Sequence, residues 1–250
     1  MHRESLARQV PSADPGAIVA LALTGQLHCD PVPGKTVLFG RNRPDVDICV
    51  GEDDLRVSRT HGALTHRDGH WWVSNTGRTP IRLPRTRWLF RDEDPFPLPV
   101  GYTPLFVRGS REREHLLELY VAGEDGRGRA VPHGADTEPP KRWRLTADEQ
   151  LVLVVMGQRY LMHEANPQPL ARQHVADVLA ELQPDAGWSP KRVEHTVAAV
   201  RARLSAGGVH GLLREEVGEP VGNALNDNLL RELVLSTTLV PPDLALLDGI

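Results

Sequence analysis

Cysteine, aromatic residues and long apolar runs are scarce in this sequence of 250 residues. Its two cysteines, Cys29 and Cys49, are too few for a disulfide framework and lie outside the spacing of a metal-binding pair. We expect free thiols in the reducing cytoplasm, with a single bridge between the two as the alternative. The apolar run at 17–23 is too short to span a membrane and lacks a small-residue cleavage pattern, so we expect neither a membrane anchor nor a signal peptide.

An excess of positive charge is also missing. The chain has 29 basic and 33 acidic residues, a formal net charge of -4 at pH 7. Residues 1–140 carry 18 basic and 19 acidic side chains, and residues 141–250 carry 11 and 14. Because neither part is basic, any contact with nucleic acid must come from a local stripe of charge. Arginine supplies 26 of the 29 basic residues, which indicates a source with high genomic GC content.

The sequence patterns of common catalytic sites are absent as well. There is no phosphate-binding GxxxxGK[ST] loop, no HExxH zinc motif, no GxSxG nucleophile elbow and no Rossmann glycine pattern. Eleven histidines are scattered along the chain, and we favour surface placement over a metal site even for His61, His66 and His70. We therefore expect a protein that is not an enzyme and needs no cofactor or metal.

Short apolar or alternating runs, each ended by turn residues, fill residues 16–121. Nine such runs at this spacing predict an all-β antiparallel sandwich, preceded by a mobile polar tail at 1–15. Asp68-Gly69 predicts a tight hairpin, and the adjacent Trp71 and Trp72 must point to opposite faces of their strand. The nine runs are 18–23, 36–39, 48–50, 62–66, 70–75, 81–83, 87–90, 103–107 and 116–121.

Residues 40–61, which read GRNRPDVDICVGEDDLRVSRTH, carry the most informative pattern in the chain. Arg41 follows a glycine that ends a predicted strand, and Ser58 and Arg59 open the later Ser-Arg-Thr-His run. Together they offer a planar guanidinium fork, a hydroxyl and a second cation on predicted loops. Those groups suit a phosphate dianion.

This stretch resembles the sequence core of the forkhead-associated (FHA) domain family, and the resemblance covers roughly residues 18–121. It implies a β-sandwich that binds phosphothreonine peptides. It further implies that Arg41 and Ser58 contact the phosphate and that Arg59 lies close to the peptide. The residues expected to support the binding loops are Gly40, His61 and Asn75.

A later segment departs from the family pattern, Asp-x-Gly-Ser-x-Asn-Gly, whose asparagine holds the peptide backbone. The corresponding residues here, 75–81, read NTGRTPI. With Gly77 aligned, Pro80 takes the place of that asparagine and has neither an amide side chain nor a backbone N–H. Arg78 and Thr79 are the nearest polar substitutes and join the predicted peptide-binding residues. The alternative is a sandwich that has lost phosphopeptide binding and serves as a phosphate-independent scaffold.

A change of period separates the two halves. Residues 122–141 contain four glycines and three prolines without apolar periodicity, which predicts a flexible linker of about 25 Å root-mean-square span. From 142 to 250 the pattern becomes helical. The predicted helices run from the Thr146 capping box to about 160, from 170 to 182, and from the Ser189-Pro190 N-terminus to Gly207, followed by 223–235 and a short one at 241–247.

These helices resemble the helix-turn-helix or winged-helix units of bacterial transcription regulators, in which the third helix enters the major groove of double-stranded DNA. By that resemblance the candidates for DNA contacts are Lys191, Arg192, His195, Thr196, Ala199 and Arg203. The alternative is a helical module that binds a protein partner, with its arginines simply solvated. The last two helices are expected to close the core or to form a dimer contact.

The combined prediction is a cytoplasmic signalling protein. An N-terminal FHA-like sandwich would bind a threonine-phosphorylated partner, and a helical domain would couple the responsible Ser/Thr kinase to transcription. The alternatives are a phospho-dependent adaptor that binds no DNA, and a scaffold subunit of a larger assembly.

Overall fold

The structure, a computed structural model, describes residues 4–8, 11–84, 87–123, 142–219 and 221–248. The described residues form two compact units, one within 4–123 and the other within 142–248. Of the predicted linker, only Ala122 and Gly123 belong to the described residues, and the rest lies outside them.

The first unit is a sandwich of two β-sheets, as the strand pattern predicts. Its six-stranded sheet has the order β2-β1-β11-β10-β7-β8, and its five-stranded sheet has the order β4-β3-β5-β6-β9. The strands are β1 (Ile18–Ala22), β2 (Gly25–Cys29), β3 (Thr36–Gly40), β4 (Ile48–Cys49), β5 (Gly62–Arg67), β6 (His70–Asn75), β7 (Ile81–Arg82), β8 (Trp88–Leu89), β9 (Phe96–Pro97), β10 (Gly101–Arg108) and β11 (Glu114–Val121).

The sandwich is mixed rather than purely antiparallel, which corrects the prediction. β3 pairs with β4 in parallel, with Phe39 opposite Ile48. The loop between these two strands is long enough to cross back, so the second strand enters the sheet in the same direction. Two strands were not predicted: β2, which lies at a sheet edge, and β9, which has only two residues and contains Pro97. β2 alternates over only four residues, Gln26 to Cys29, with a single large apolar side chain, and β9 is too short to show a period.

The predicted Asp-Gly hairpin and the opposed tryptophans are confirmed. Arg67 pairs with His70, and Asp68 and Gly69 between them have φ angles of 52° and 76°. Two successive left-handed residues give a turn whose twist matches that of the strands. Trp71 points into the core and donates its indole N–H to the Gly16 carbonyl at 2.9 Å, whereas Trp72 lies on the outer face under the Arg67 guanidinium.

Residues 5–7 correct the prediction of a mobile tail at 1–15. Leu6 is only 6% exposed and packs on the outer face of the six-stranded sheet beside Val19 and Tyr120. Ser5 donates its hydroxyl to Glu118 at 2.5 Å. This carboxyl also accepts a hydrogen bond from Tyr102, while burial raises its pKa. One leucine followed by one alanine gives no periodic signal, so the burial of Leu6 could not be seen in the sequence.

The second unit is helical, and its described residues form α1 (Ala147–Met156), α2 (Gln158–Leu161), α3 (Arg172–Leu182), α4 (Pro190–Ala206), α5 (Ala224–Leu235) and a terminal 3-10 helix at Pro241–Leu247. The predicted capping box is present, because Thr146 Oγ1 accepts from the Glu149 N–H at 3.2 Å and the Glu149 carboxylate accepts from the Thr146 N–H at 2.9 Å. Ser189 caps α4 in the predicted way.

The wing of a winged helix is absent from the described residues of this unit. Between α4 and α5, residues 207–219 and 221–223 contain one 3-10 turn, Arg214–Glu216, and no strand. This segment is rich in glycine and glutamate and lacks the apolar alternation that a hairpin would need. The helical character of this unit is therefore confirmed, and its described residues show no wing.

None of the helices in the described ranges is long and apolar enough to cross a membrane.

The packing of Leu6 generates a prediction. Leu6→Ala should lower the free energy of unfolding of the sandwich by about 2 kcal/mol, because it removes buried methyl groups from the outer face of the sheet. Leu55→Ala is the matched control, since Leu55 is 83% exposed and its truncation should change little. Hydrogen exchange of β1 and β11 amides during a urea titration of the full chain measures the change in unfolding free energy of each variant. Equal protection in the two variants would contradict the packing.

Candidate functional site

Two loops meet where β3 ends. The Arg41 N–H donates to the Ser58 carbonyl at 3.1 Å, and the Arg41 Nε–H donates to the Val57 carbonyl at 2.9 Å. The Asn42 N–H donates to the Arg59 carbonyl at 3.2 Å. These bonds hold the loop at 41–47 against the loop at 50–61, so Arg41 lies beside Ser58 although they are far apart in sequence.

Gly40 permits this close approach. A Cβ atom at this position would lie 2.3 Å from the Arg59 carbonyl oxygen and 2.8 Å from the His61 nitrogen. Any larger residue would therefore force the two loops apart.

His61 joins the second loop to a third, at 76–80. Its imidazole is fully buried, Nδ1 lies 3.1 Å from the Ser58 N–H, and Nε2 lies 3.0 Å from the Thr79 carbonyl oxygen. Because a backbone N–H can only donate and a carbonyl can only accept, Nδ1 is the acceptor and Nε2 carries the proton. Burial lowers the pKa of His61 to about 4, so the ring is neutral at physiological pH.

Asn75 fixes the third loop from inside the sandwich. Its side-chain amide donates to the carbonyls of Thr79 at 3.0 Å and Leu89 at 2.9 Å and accepts from the Gly77 N–H at 2.8 Å. Gly77 itself lies against the His61 ring, where a Cβ atom would come within 2.8 Å. The structure thus places the three expected supporting residues, Gly40, His61 and Asn75, at the junction of the loops.

The Ser58 hydroxyl lies at the surface of this junction. Its oxygen accepts a hydrogen bond from the Arg78 N–H at 3.1 Å. Since a hydroxyl that accepts in this way keeps its own proton, Ser58 can still donate to a bound oxyanion.

Three arginines accompany this hydroxyl. Arg41 is partly buried, and Arg59 and Arg78 are exposed. Within the described part of the chain, none of the three forms an ion pair with a carboxylate. Their positive charges are therefore available to an anionic ligand.

Thr79 corrects the predicted set of peptide-binding residues. It is only 8% exposed, and its hydroxyl donates to the Arg108 carbonyl at 2.8 Å. Its own carbonyl accepts from both His61 and Asn75. These bonds turn the residue inward, so Thr79 supports the loop and does not face a ligand.

Sequence reasoning missed Asp54, which ties the loop at 50–61 to a fourth loop at 108–113. Its carboxylate is 1% exposed and accepts from the backbone N–H groups of Ser110 at 2.9 Å and Arg56 at 3.0 Å, and it contacts His115 Nε2 at 3.0 Å. A Cβ atom at Gly109 would lie 2.1 Å from this carboxylate. The run Glu52-Asp53-Asp54 is typical of a solvated acidic turn, and no pattern singles out its buried member.

Asp54 remains ionised despite its burial. Burial raises the pKa of a carboxyl, but the hydrogen bonds from His115, Ser110 and Arg56 outweigh it and lower the pKa of Asp54 to about 2. The Arg113 guanidinium adds positive charge 3.7 Å away. The four loops are thus connected by contacts that persist across the physiological pH range.

In the helical unit, two of the predicted DNA contacts, Arg192 and Arg203, form ion pairs with α1. Arg192 bonds to Asp148 at 2.8 Å and to the Ala186 carbonyl, and it stacks over Trp188. Arg203 forms a two-pronged pair with Glu149 at 2.8 and 2.9 Å. Both charges are neutralised because the acidic first turn of α1 lies against α4.

The remaining candidates on α4 stay a prediction. Lys191, His195 and Ala199 are exposed, and Thr196 is partly buried with its hydroxyl bonded to the Arg192 carbonyl at 3.0 Å. With two of its arginines paired, this helix face has lost most of the positive charge that a phosphate backbone would require.

No family model matches the sequence, and the comparison with curated proteins gives no match. Among solved structures, an engineered FHA domain with a Myc-pTBD peptide is similar to the sandwich, with 17% identity over 45% of this chain and 97% of that chain and a TM-score of 0.38. The N-terminal FHA domain of S. cerevisiae Rad53p, in complex with a phosphothreonine peptide, has 17% identity over 44% and 97%, with a TM-score of 0.35. The FHA-1 domain of Mycobacterium tuberculosis Rv1747 has 17% identity over 43% and 97%, with a TM-score of 0.33.

The environment of His61 generates a second prediction. Nitrogen-15 NMR of the ring should show the neutral Nε2–H form and a pKa near 4. Because the unfolded chain binds the proton near pH 6.5, His61 should cost the sandwich roughly 3 kcal/mol of stability as the pH falls from 6.5 to 4. An Nδ1–H form, or protonation near pH 6.5 without loss of structure, would contradict the buried position of the ring.

Proposed function

We propose that the sandwich unit binds phosphothreonine-containing segments of partner proteins. The observation that carries the proposal is the position of the Ser58 hydroxyl, at the meeting point of two loops and beside arginines that no described carboxylate neutralises. The preference for threonine rests on the resemblance of residues 40–61 to the FHA family.

The chemistry of these groups fits a phosphate ester. At pH 7 the phosphate carries a charge of about -1.5 to -2 and three acceptor oxygens. Arg41 presents a planar fork whose Nε–H is already fixed on the Val57 carbonyl, which leaves its terminal nitrogens to donate outward. Ser58 supplies a hydroxyl donor, and Arg59 and Arg78 supply further charge. Two or three charge-assisted hydrogen bonds correspond to about 100-fold or more in affinity.

The missing asparagine of the family pattern need not abolish binding. Pro80 follows Thr79, whose hydroxyl and carbonyl are both engaged inside the protein. A bound peptide would thus lack one backbone contact on this side, while Arg41 and Ser58, the donors proposed for the phosphate, lie on the other loops.

A phospho-dependent adaptor is the whole-chain role that these contacts favour. In the helical unit, the pairing of Arg192 with Asp148 and of Arg203 with Glu149 removes two of the charges on which DNA binding would depend. The partner would be a protein phosphorylated by a Ser/Thr kinase, and the contribution of the chain would be binding rather than catalysis.

Fluorescence anisotropy with a degenerate phosphothreonine peptide library tests the proposal. The phosphorylated library should bind at least about 100-fold more tightly than the matched unphosphorylated library. Arg41→Ala and Ser58→Ala should each remove about tenfold or more of that difference, and Arg41→Lys should restore only part, because lysine keeps the charge without the fork.

Arg67→Ala is the matched control, since Arg67 lies in the hairpin at the far end of β5 and stacks on Trp72. Its affinity for both libraries should equal that of the unaltered chain, and thermal melting should show that all variants fold. Equal binding of the phosphorylated and unphosphorylated libraries would reject the proposal.

A further inference from the structure

Positive charge concentrates on the four loops that meet at His61 and Asp54. These loops, at 41–47, 50–61, 76–80 and 108–113, together contain eight arginines and six carboxylates. We call this surface the loop end of the sandwich. The chain up to residue 140 has slightly more acidic than basic residues, so the loop end differs in sign from the remainder of its unit.

Two of the eight arginines at the loop end form ion pairs with carboxylates. Arg43 forms a two-pronged pair with Glu52 at 2.6 and 2.9 Å, and Arg113 pairs with Asp53 at 2.7 Å. Within the described ranges, the other six form no ion pair with a carboxylate. These six are Arg41, Arg56, Arg59, Arg78, Arg108 and Arg111.

Backbone contacts place these arginines around one centre. The Arg78 N–H bonds to the Ser58 hydroxyl, and the Arg108 carbonyl accepts the Thr79 hydroxyl. The Arg56 N–H donates to the Asp54 carboxylate, which also accepts from the Ser110 N–H in the fourth loop. Neighbouring loops are therefore joined by one or two hydrogen bonds.

The carboxylates of the loop end other than Glu52 and Asp53 offset only part of the charge of these six arginines. Asp45 is held by the Asn42 side chain and Asp47 by the Leu38 N–H, both of which are neutral donors. With all six carboxylates counted against the eight arginines, the formal charge of the loop end is +2, and His61 is uncharged.

The loop end has more arginines than one phosphate dianion requires. Arg41, Arg59 and Arg78 suffice to neutralise a phosphate dianion. Arg56 precedes Ser58 by two residues on the same loop, and Arg108 and Arg111 lie on the fourth loop, which Asp54 connects to it. Cations in those positions would contact the residues on either side of a bound phosphothreonine. Charge of one sign on a surface that binds a ligand favours the opposite sign in that ligand.

We infer that the sandwich selects phosphothreonine segments flanked by acidic residues, an inference that rests on the function proposed above. Glutamate or aspartate on either side of the phosphothreonine would pair with Arg56, Arg108 and Arg111, and lysine or arginine there would be repelled.

Peptides that differ only in their flanks test this inference with the full chain. The series comprises one phosphothreonine peptide with alanine flanks, one with three glutamates and one with three lysines, together with the unphosphorylated glutamate peptide. The glutamate peptide should bind about fivefold to twentyfold more tightly than the alanine peptide at low salt, the lysine peptide more weakly than either, and the advantage should shrink at high salt.

Substitution of individual arginines tests which of them produce the preference for glutamate flanks. The double variant Arg56→Ala, Arg108→Ala should remove most of the advantage of glutamate flanks while leaving the affinity for the alanine peptide within about twofold. Arg67→Ala is the matched control for a lost positive charge. It lies five residues along β5 from Gly62, about 17 Å away, which exceeds the screening length of about 8 Å at physiological salt.

Each other outcome overturns a defined claim. If phosphorylated peptides bind but their affinities are equal or favour lysine, the inference on flanks is wrong and the proposed function stands. If no phosphorylated peptide exceeds the unphosphorylated one, the proposed function fails and the inference fails with it. If a DNA duplex displaces the glutamate phosphopeptide at equal charge concentration, the loop end is a nucleic-acid surface instead.

Discussion

Two hydrogen bonds of one buried imidazole organise the candidate site. His61 accepts from the Ser58 N–H and donates to the Thr79 carbonyl, so a single ring fixes the distance between two loops that approach each other only in the folded chain. The ring is neutral, which avoids the large cost of a buried charge. Gly40 and Gly77 lie against this arrangement because a Cβ atom at either position would displace it.

A second buried contact extends the arrangement outward. Asp54 binds two backbone N–H groups and His115, and it connects the loop that bears Ser58 to the loop at 108–113. The buried groups thus accept or donate the hydrogen bonds of the loop backbone. Within the described ranges, Arg41, Arg59 and Arg78 around Ser58 form no ion pair with a carboxylate. A ligand would meet the Ser58 hydroxyl beside the exposed Arg59 and Arg78, a combination suited to a phosphate in an acidic segment.

Features encoded by neighbouring residues could be predicted from the sequence. The Asp68-Gly69 hairpin and the Thr146 capping box depend on local geometry, and both occur as predicted. Features that depend on distant residues could not be predicted: Thr79 turns inward because His61 and Asn75 bind it, and Arg203 is neutralised because α1 lies against its helix. In the sequence Asp54 resembles an exposed acidic residue, and only the fold brings His115 of β11 beside it.

A crystal structure of the chain with a bound phosphothreonine peptide would locate the phosphate. We expect phosphate oxygens within hydrogen-bonding distance of the Ser58 hydroxyl and the Arg41 guanidinium, with the hydrogen bond between the Ser58 N–H and His61 retained. A phosphate bound elsewhere on the sandwich, with these two side chains left in solvent, would contradict this expectation.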